Sequence, residues 1–204
     1  MLLADAVLSA LLNLVLLAVV PFLFYVAYQK RHGKRGLVDI AQQAGLQIGE
    51  RRYVAYSVAF ALACVAILSI WPPPLEPLVR QGSGSRQFVG LGLGGPAIPI
   101  ILLYGVVKTG FAEELLFRGL IAGSLSRRLP LVWANLGQAL IFVVPHLVLL
   151  FIMPEFWIVL PLIFVGDLFL GWVRIKSGSI IGSWLIHASV NVTMALSVAI
   201  RTAA

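Results

Sequence analysis

The sequence predicts an all-α fold, a polytopic bundle of about six membrane-spanning helices, on three observations. The chain of 204 residues is 60% hydrophobic and only 11% charged, with a mean hydropathy of +0.99, far above that of soluble domains. Its apolar residues gather into runs at about 2–28, 53–71, 88–126, 131–153, 156–173 and 179–200. Each run is long enough to cross a hydrocarbon core about 30 Å thick. The charges, finally, concentrate between the runs, where Lys and Arg orient a chain in the bilayer.

The first run, 2–28, has no basic residue ahead of it and is followed by Lys30, Arg31, Lys34 and Arg35, so it reads as a retained span rather than a signal peptide. The basic loop after it contains "RGLVDIAQQAGLQIGERR", whose spaced apolar residues fit a short interfacial helix. The second run ends at the breakers "PPPLEP" and "QGSGSRQ". The third, 88–126, is long enough for one extended, kinked helix or for two short spans, and the basic residues decide between them. One crossing puts Lys30, Arg31, Lys34, Arg35, Arg51, Arg52, Arg127, Arg128, Arg174 and Lys176 on one side against Arg80, Arg86 and Arg201 on the other. Two crossings even the count out to eight against six, so a single crossing is expected, with both termini on the non-cytoplasmic face. Gly92, Gly94, Gly95, Pro96 and Pro99 give it an irregular entry. Tight turns join the last three runs.

A formal net charge of +7 suggests nucleic acid in a soluble protein. Here the basic residues flank spans, so nucleic-acid binding is excluded as a function class and the lipid bilayer is the partner. The single Cys64 excludes an internal disulfide.

Polar residues inside the runs carry the functional signal: Lys108, Glu113, Glu114, Arg118, His146, Asp167, His187 and Asn191. Each is costly against lipid, so they face the bundle interior. In "EELLFR", Glu114 and Arg118 stand at i,i+4 and pair most simply with each other. Glu113 is left without a local cation in a setting that disfavours its charged form, the condition wanted in a general base. In the last run Ser183, His187 and Asn191 recur every four residues as a polar stripe. At a rise of about 1.5 Å per residue, Glu113, His146 and Asn191 come to about 21–22 Å from the basic end of their helices, and His187 to about 16 Å. Asp167 comes to about 10 Å, off that level.

These residues spell an EExxxR, an FxxxH (Phe142 to His146) and an HxxxN (His187 to Asn191), in that order and on separate helices. In this the chain resembles the CPBP family of intramembrane proteases, which includes the CAAX prenyl endopeptidases and Abi proteins linked to bacteriocin self-immunity. The resemblance covers about residues 96–200 and implies one integral membrane domain over 1–204, with N-terminal spans and loops in 1–95 and a catalytic core in 96–200. It implies that Glu113 activates a water, that His146 binds and orients it, and that His187 with Asn191 forms an oxyanion hole, with Glu114 and Arg118 as structural support. Phe142 and Asp167 are candidate substrate contacts, Asp167 standing where family members often carry a small residue. For Asp167 a helix-packing hydrogen bond is the favoured reading, with a substrate or water contact as the alternative. The implied partner is a membrane-anchored protein or peptide cleaved near its C-terminus, and the short loops suggest a bacterial inner membrane and a myxosortase-like sorting branch. No cofactor is expected. The alternative is Zn held by Glu113, His146 and His187, a set that meets the three-ligand requirement although no HExxH is present. A non-catalytic immunity protein using the same cavity is the rival function.

Overall fold

The computed structural model describes residues 3–33, 35–151 and 153–203; Leu2, Lys34 and Ile152, used in the sequence reading of two spans and the basic loop, lie outside the described residues. Regular structure among the described residues is helical throughout. The main helices are α1 (Leu3–Gly33), α2 (Leu37–Gln43), α3 (Arg51–Ile70), α4 (Leu75–Val79), α5 (97–126), α6 (Leu131–Leu147), α7 (Leu160–Ser177) and α8 (Ile181–Arg201). Helix α5 is an unbroken helical run, so 88–126 does not fold as two spans turning at Lys108–Gly110.

Among the described residues, four helices are long and apolar enough to cross a membrane: Leu3–Gly33, Arg51–Ile70, Leu131–Phe151 and Ile181–Arg201. The other two expected spans, α5 and α7, are helical but are not among the four. Their charges account for this: Lys108, Glu113, Glu114 and Arg118 stand in α5, and Asp167, Arg174 and Lys176 in α7. The candidate base Glu113 thus stands in a charged helix outside the four, whereas His146, His187 and Asn191 stand on two of the four.

Helix α5 packs against α1 and α8, and α6 packs against both α7 and the second half of α5. Gly105 permits a close approach of α5 to α8, since a Cβ there would lie 2.6 Å from Val192 Cγ2 and 2.9 Å from its backbone nitrogen. Most of α5 is π-wound, at Leu103–Phe111 and Leu115–Ala122, with one α-helical turn at Ala112–Glu114 between. Widening a helix loosens its own ladder, and in lipid every carbonyl so weakened needs another donor. Side chains supply four of them. Asn13 Nδ2 donates to Lys108 O at 2.6 Å, Trp184 Nε1 to Val106 O at 2.8 Å, Arg174 Nε to Arg118 O at 3.0 Å and Thr109 Oγ1 to Tyr104 O at 3.0 Å.

The basic loop holds the short helix expected there, but one face of it is buried rather than lying at the surface. Ile40 and Ala44 of this segment are fully buried, while Leu37 and Val38 stay exposed. Backbone groups fasten the loop to the turn between α7 and α8: Ile180 N donates to Gly45 O at 3.0 Å and Glu50 N to Ser177 O at 2.9 Å. Gly45 takes a positive φ of 77°, and a Cβ on it would lie 2.7 Å from Arg174 Nε.

The side-chain donors that serve α5 are therefore expected to contribute to stability. Asn13→Leu and Trp184→Phe should each destabilise the protein by about 1–2 kcal/mol, since each leaves a carbonyl unpaired in an apolar setting. Unfolding in detergent reads this out, and unchanged midpoints would show that the carbonyls find other partners.

Candidate active site

At the centre of the bundle lies a guanidinium. Arg118 is 1% exposed, and Glu114 and Asp167 beside it are likewise buried. Arg118 Nη1 is 3.1 Å from Glu114 Oε1, the i,i+4 pair expected from sequence. Its other terminal nitrogen, Nη2, donates to Asp167 Oδ1 on α7, a partner that sequence spacing does not reveal. A planar fork can serve two carboxylates at once, which a point-like ammonium does less well. The third side is aromatic, with the guanidinium carbon 4.4 Å from the Phe142 ring centroid.

Asp167 is itself held by α6. Gln138 Nε2 donates to Asp167 Oδ2 at 2.7 Å and to the Asp167 carbonyl at 3.2 Å, and Asn135 Nδ2 donates to Leu168 O at 2.8 Å. The off-level depth inferred for Asp167 thus corresponds to the Arg118 layer, one turn from Glu114 towards the basic ends of the helices. Asn135 and Gln138 escaped the sequence reading, although two amides three residues apart in an apolar run were a visible signal.

His187 joins this buried cluster to Glu113. Its Nδ1 is 3.0 Å from Glu114 Oε1, and its Nε2 is 3.9 Å from Glu113 Oε2. One imidazole therefore faces both glutamates, although adjacent residues on a helix point about 100° apart. A carboxylate on Nδ1 favours the tautomer with the proton there and leaves Nε2 directed at Glu113. The two carboxylates differ in access: the Glu113 side chain is 21% exposed and that of Glu114 0%. Glu113 alone of the pair can meet a reactant.

Phe142 fills the space between the remaining groups. Its ring lies 4.9 Å from Phe117, 4.7 Å from the His146 ring and 6.3 Å from the His187 ring, centroid to centroid. His146 turns its Nδ1 to Phe142 O at 2.8 Å, so its ring meets the cluster across Phe142. Asn191, one turn beyond His187, donates from Nδ2 to Thr109 Oγ1 at 2.8 Å. Thr109 is a further residue not singled out from the sequence.

Among the described residues, no three of His, Cys, Asp and Glu are grouped so as to hold a metal ion. Glu113 and His187 approach each other at 3.9 Å.

Residues 95–193, which hold all of these groups except the α1 and loop contacts, match the family described as type II CAAX prenyl endopeptidase Rce1-like. This region is Rce1-like. The match spans the three motifs and supports a membrane endopeptidase that acts on a protein or peptide. No curated protein and no solved structure matches the chain. The Rce1-like region begins just before α5 and ends within α8, so α1 to α4 fall outside it.

The burial of Arg118 between two carboxylates makes a specific claim about stability. Asp167→Ala strands part of a buried guanidinium and should cost about 3 kcal/mol, against about 1–2 kcal/mol for Gln138→Leu, which removes a neutral donor. Chemical unfolding of both variants in detergent checks the ranking; equal losses would mean that the charge on Asp167 adds nothing.

Proposed function

We propose that the protein is a glutamate-type intramembrane endopeptidase that cleaves a membrane-anchored protein or peptide near its C-terminus. The observation that carries this reading is His187 held between the two glutamates, with Nδ1 on buried Glu114 and Nε2 facing accessible Glu113. In the proposed reaction Glu113 takes a proton from water as the water oxygen attacks the scissile carbonyl carbon. The carbonyl oxygen becomes an oxyanion, which Asn191 stabilises through its amide N–H and His187 through Nε2–H in the imidazolium form. The proton then passes to the leaving nitrogen as the C–N bond breaks. Asn191 spends one N–H on Thr109, and its amide has a second to offer. His146 orients the water, while Glu114, Arg118 and Asp167 hold His187 in register.

The substrate is proposed to be a tail anchor or small membrane peptide of a bacterial inner membrane, as in myxosortase-like sorting systems. A metal-free mechanism is preferred, because the acid–base roles are filled by this chain's own residues.

Glu113→Gln should lower turnover by about 100- to 10,000-fold without loss of expression. Asn191→Ala should lower it by about 100- to 1000-fold while leaving a measurable residue. Comparison of C-terminal peptides in membranes with and without the active chain supplies the assay. Processing that persists in Glu113→Gln rules out this base and favours a binding or immunity protein that uses the cavity without turnover. Full activity after exhaustive chelation is expected; activity recovered only with added Zn overturns the metal-free preference.

A further inference from the structure

Lys108 is a charge for which the site described above has no use. It stands in α5, half-buried, eleven residues past Ala97. That is about 16 Å of helix, farther than its stem can snorkel. None of the ion pairs found among the described residues includes it. Its ammonium lies 5.8 Å from the Tyr104 ring centroid, a weak contact for a full charge in an apolar setting.

The winding of α5 decides which way this charge faces. In an α-helix, residues five apart diverge by about 140°. The π-wound stretch Leu103–Phe111 brings Lys108 to within about a quarter turn of the Glu113 direction. The Tyr104 ring lies beside the Lys108 ammonium, four residues back along α5. Along the axis Lys108 is about 7 Å from Glu113.

We propose that Lys108 is the anchor for a carboxylate of the substrate, its C-terminal carboxylate in the first instance, and thereby selects which bond meets Glu113. The inference rests on the endopeptidase reading. An extended peptide advances about 3.3 Å per residue, so a carboxylate seated on Lys108 lies within about three residues of the scissile amide. The ammonium gains its missing counterion only when substrate is bound, which turns a costly half-buried charge into specificity.

The test measures binding without turnover, using the full-length Glu113→Gln chain in neutral-lipid nanodiscs. The probe is a short labelled leucine–alanine peptide prepared as the free acid, as the amide, and as the amide with a terminal aspartate. The acid should bind at least about 10-fold more tightly than the plain amide. Lys108→Met, which suits an apolar span, should abolish that preference, and Lys108→Arg should keep it. If the aspartate amide matches the acid, the anchor accepts a side-chain carboxylate as well; if it matches the plain amide, the anchor reads the C-terminus alone. Equal or undetectable binding of acid and amide, or a preference that survives Lys108→Met, overturns the proposal. Turnover that persists in Glu113→Gln would instead count against the peptidase reading and leave the acid preference standing.

Discussion

A guanidinium that is 1% exposed inside an apolar bundle must be met by negative charge, and the arrangement of the site follows from how that is done. Arg118 has Glu114 on its own helix, Asp167 on α7 and the face of Phe142 on α6. Three helices are thereby tied at one layer. Removing any of the three partners leaves a buried charge short of compensation, so the cluster resists local rearrangement. What rests on it is His187, whose Nδ1 is committed to Glu114 and whose Nε2 is consequently aimed at Glu113.

Two adjacent glutamates thus take opposite parts. Glu114, with no exposed surface, is spent on Arg118 and His187, while Glu113 keeps an opening of 21%. A base that must exchange protons with water needs access; a group that orients an imidazole needs the reverse. The similarity of residues 95–193 to the Rce1-like family accords with this division of labour. The segments outside that region still act on it, because Asn13 of α1 donates to a carbonyl of α5 and Ala44 of the 35–50 loop clusters with Ala112, Leu115 and Leu120 of α5.

Much of the helical architecture was legible in the sequence. Apolar run length located the helices, and the uneven distribution of Lys and Arg argued for one continuous α5, which the fold contains. The i,i+4 spacing of Glu114 and Arg118 was sufficient to anticipate their pairing, since both partners sit on one helix. The Arg118–Asp167 pair was not legible, because 49 residues and two turns separate its members. Nor was the π winding of α5, which depends on donors from Asn13, Trp184 and Arg174 that only the tertiary fold brings within reach. Rotation about the helix explains a further difference: adjacent residues of an ideal helix cannot share a face, yet one imidazole with nitrogens on two edges reaches both Glu113 and Glu114. The depth estimate brought Asn191 level with Glu113 but was silent on Thr109, the hydroxyl that receives its amide.

The central claim is that Glu114 fixes the imidazole of His187 so that Nε2 faces Glu113. Nitrogen-15 spectra of the chain with labelled histidine in lipid, recorded for the parent and for Glu114→Gln, address it directly. The account predicts a His187 signal with Nδ1 protonated in the parent and a redistribution towards the other tautomer in Glu114→Gln. A parent His187 that carries its neutral-state proton on Nε2, or a spectrum unchanged by Glu114→Gln, would contradict it.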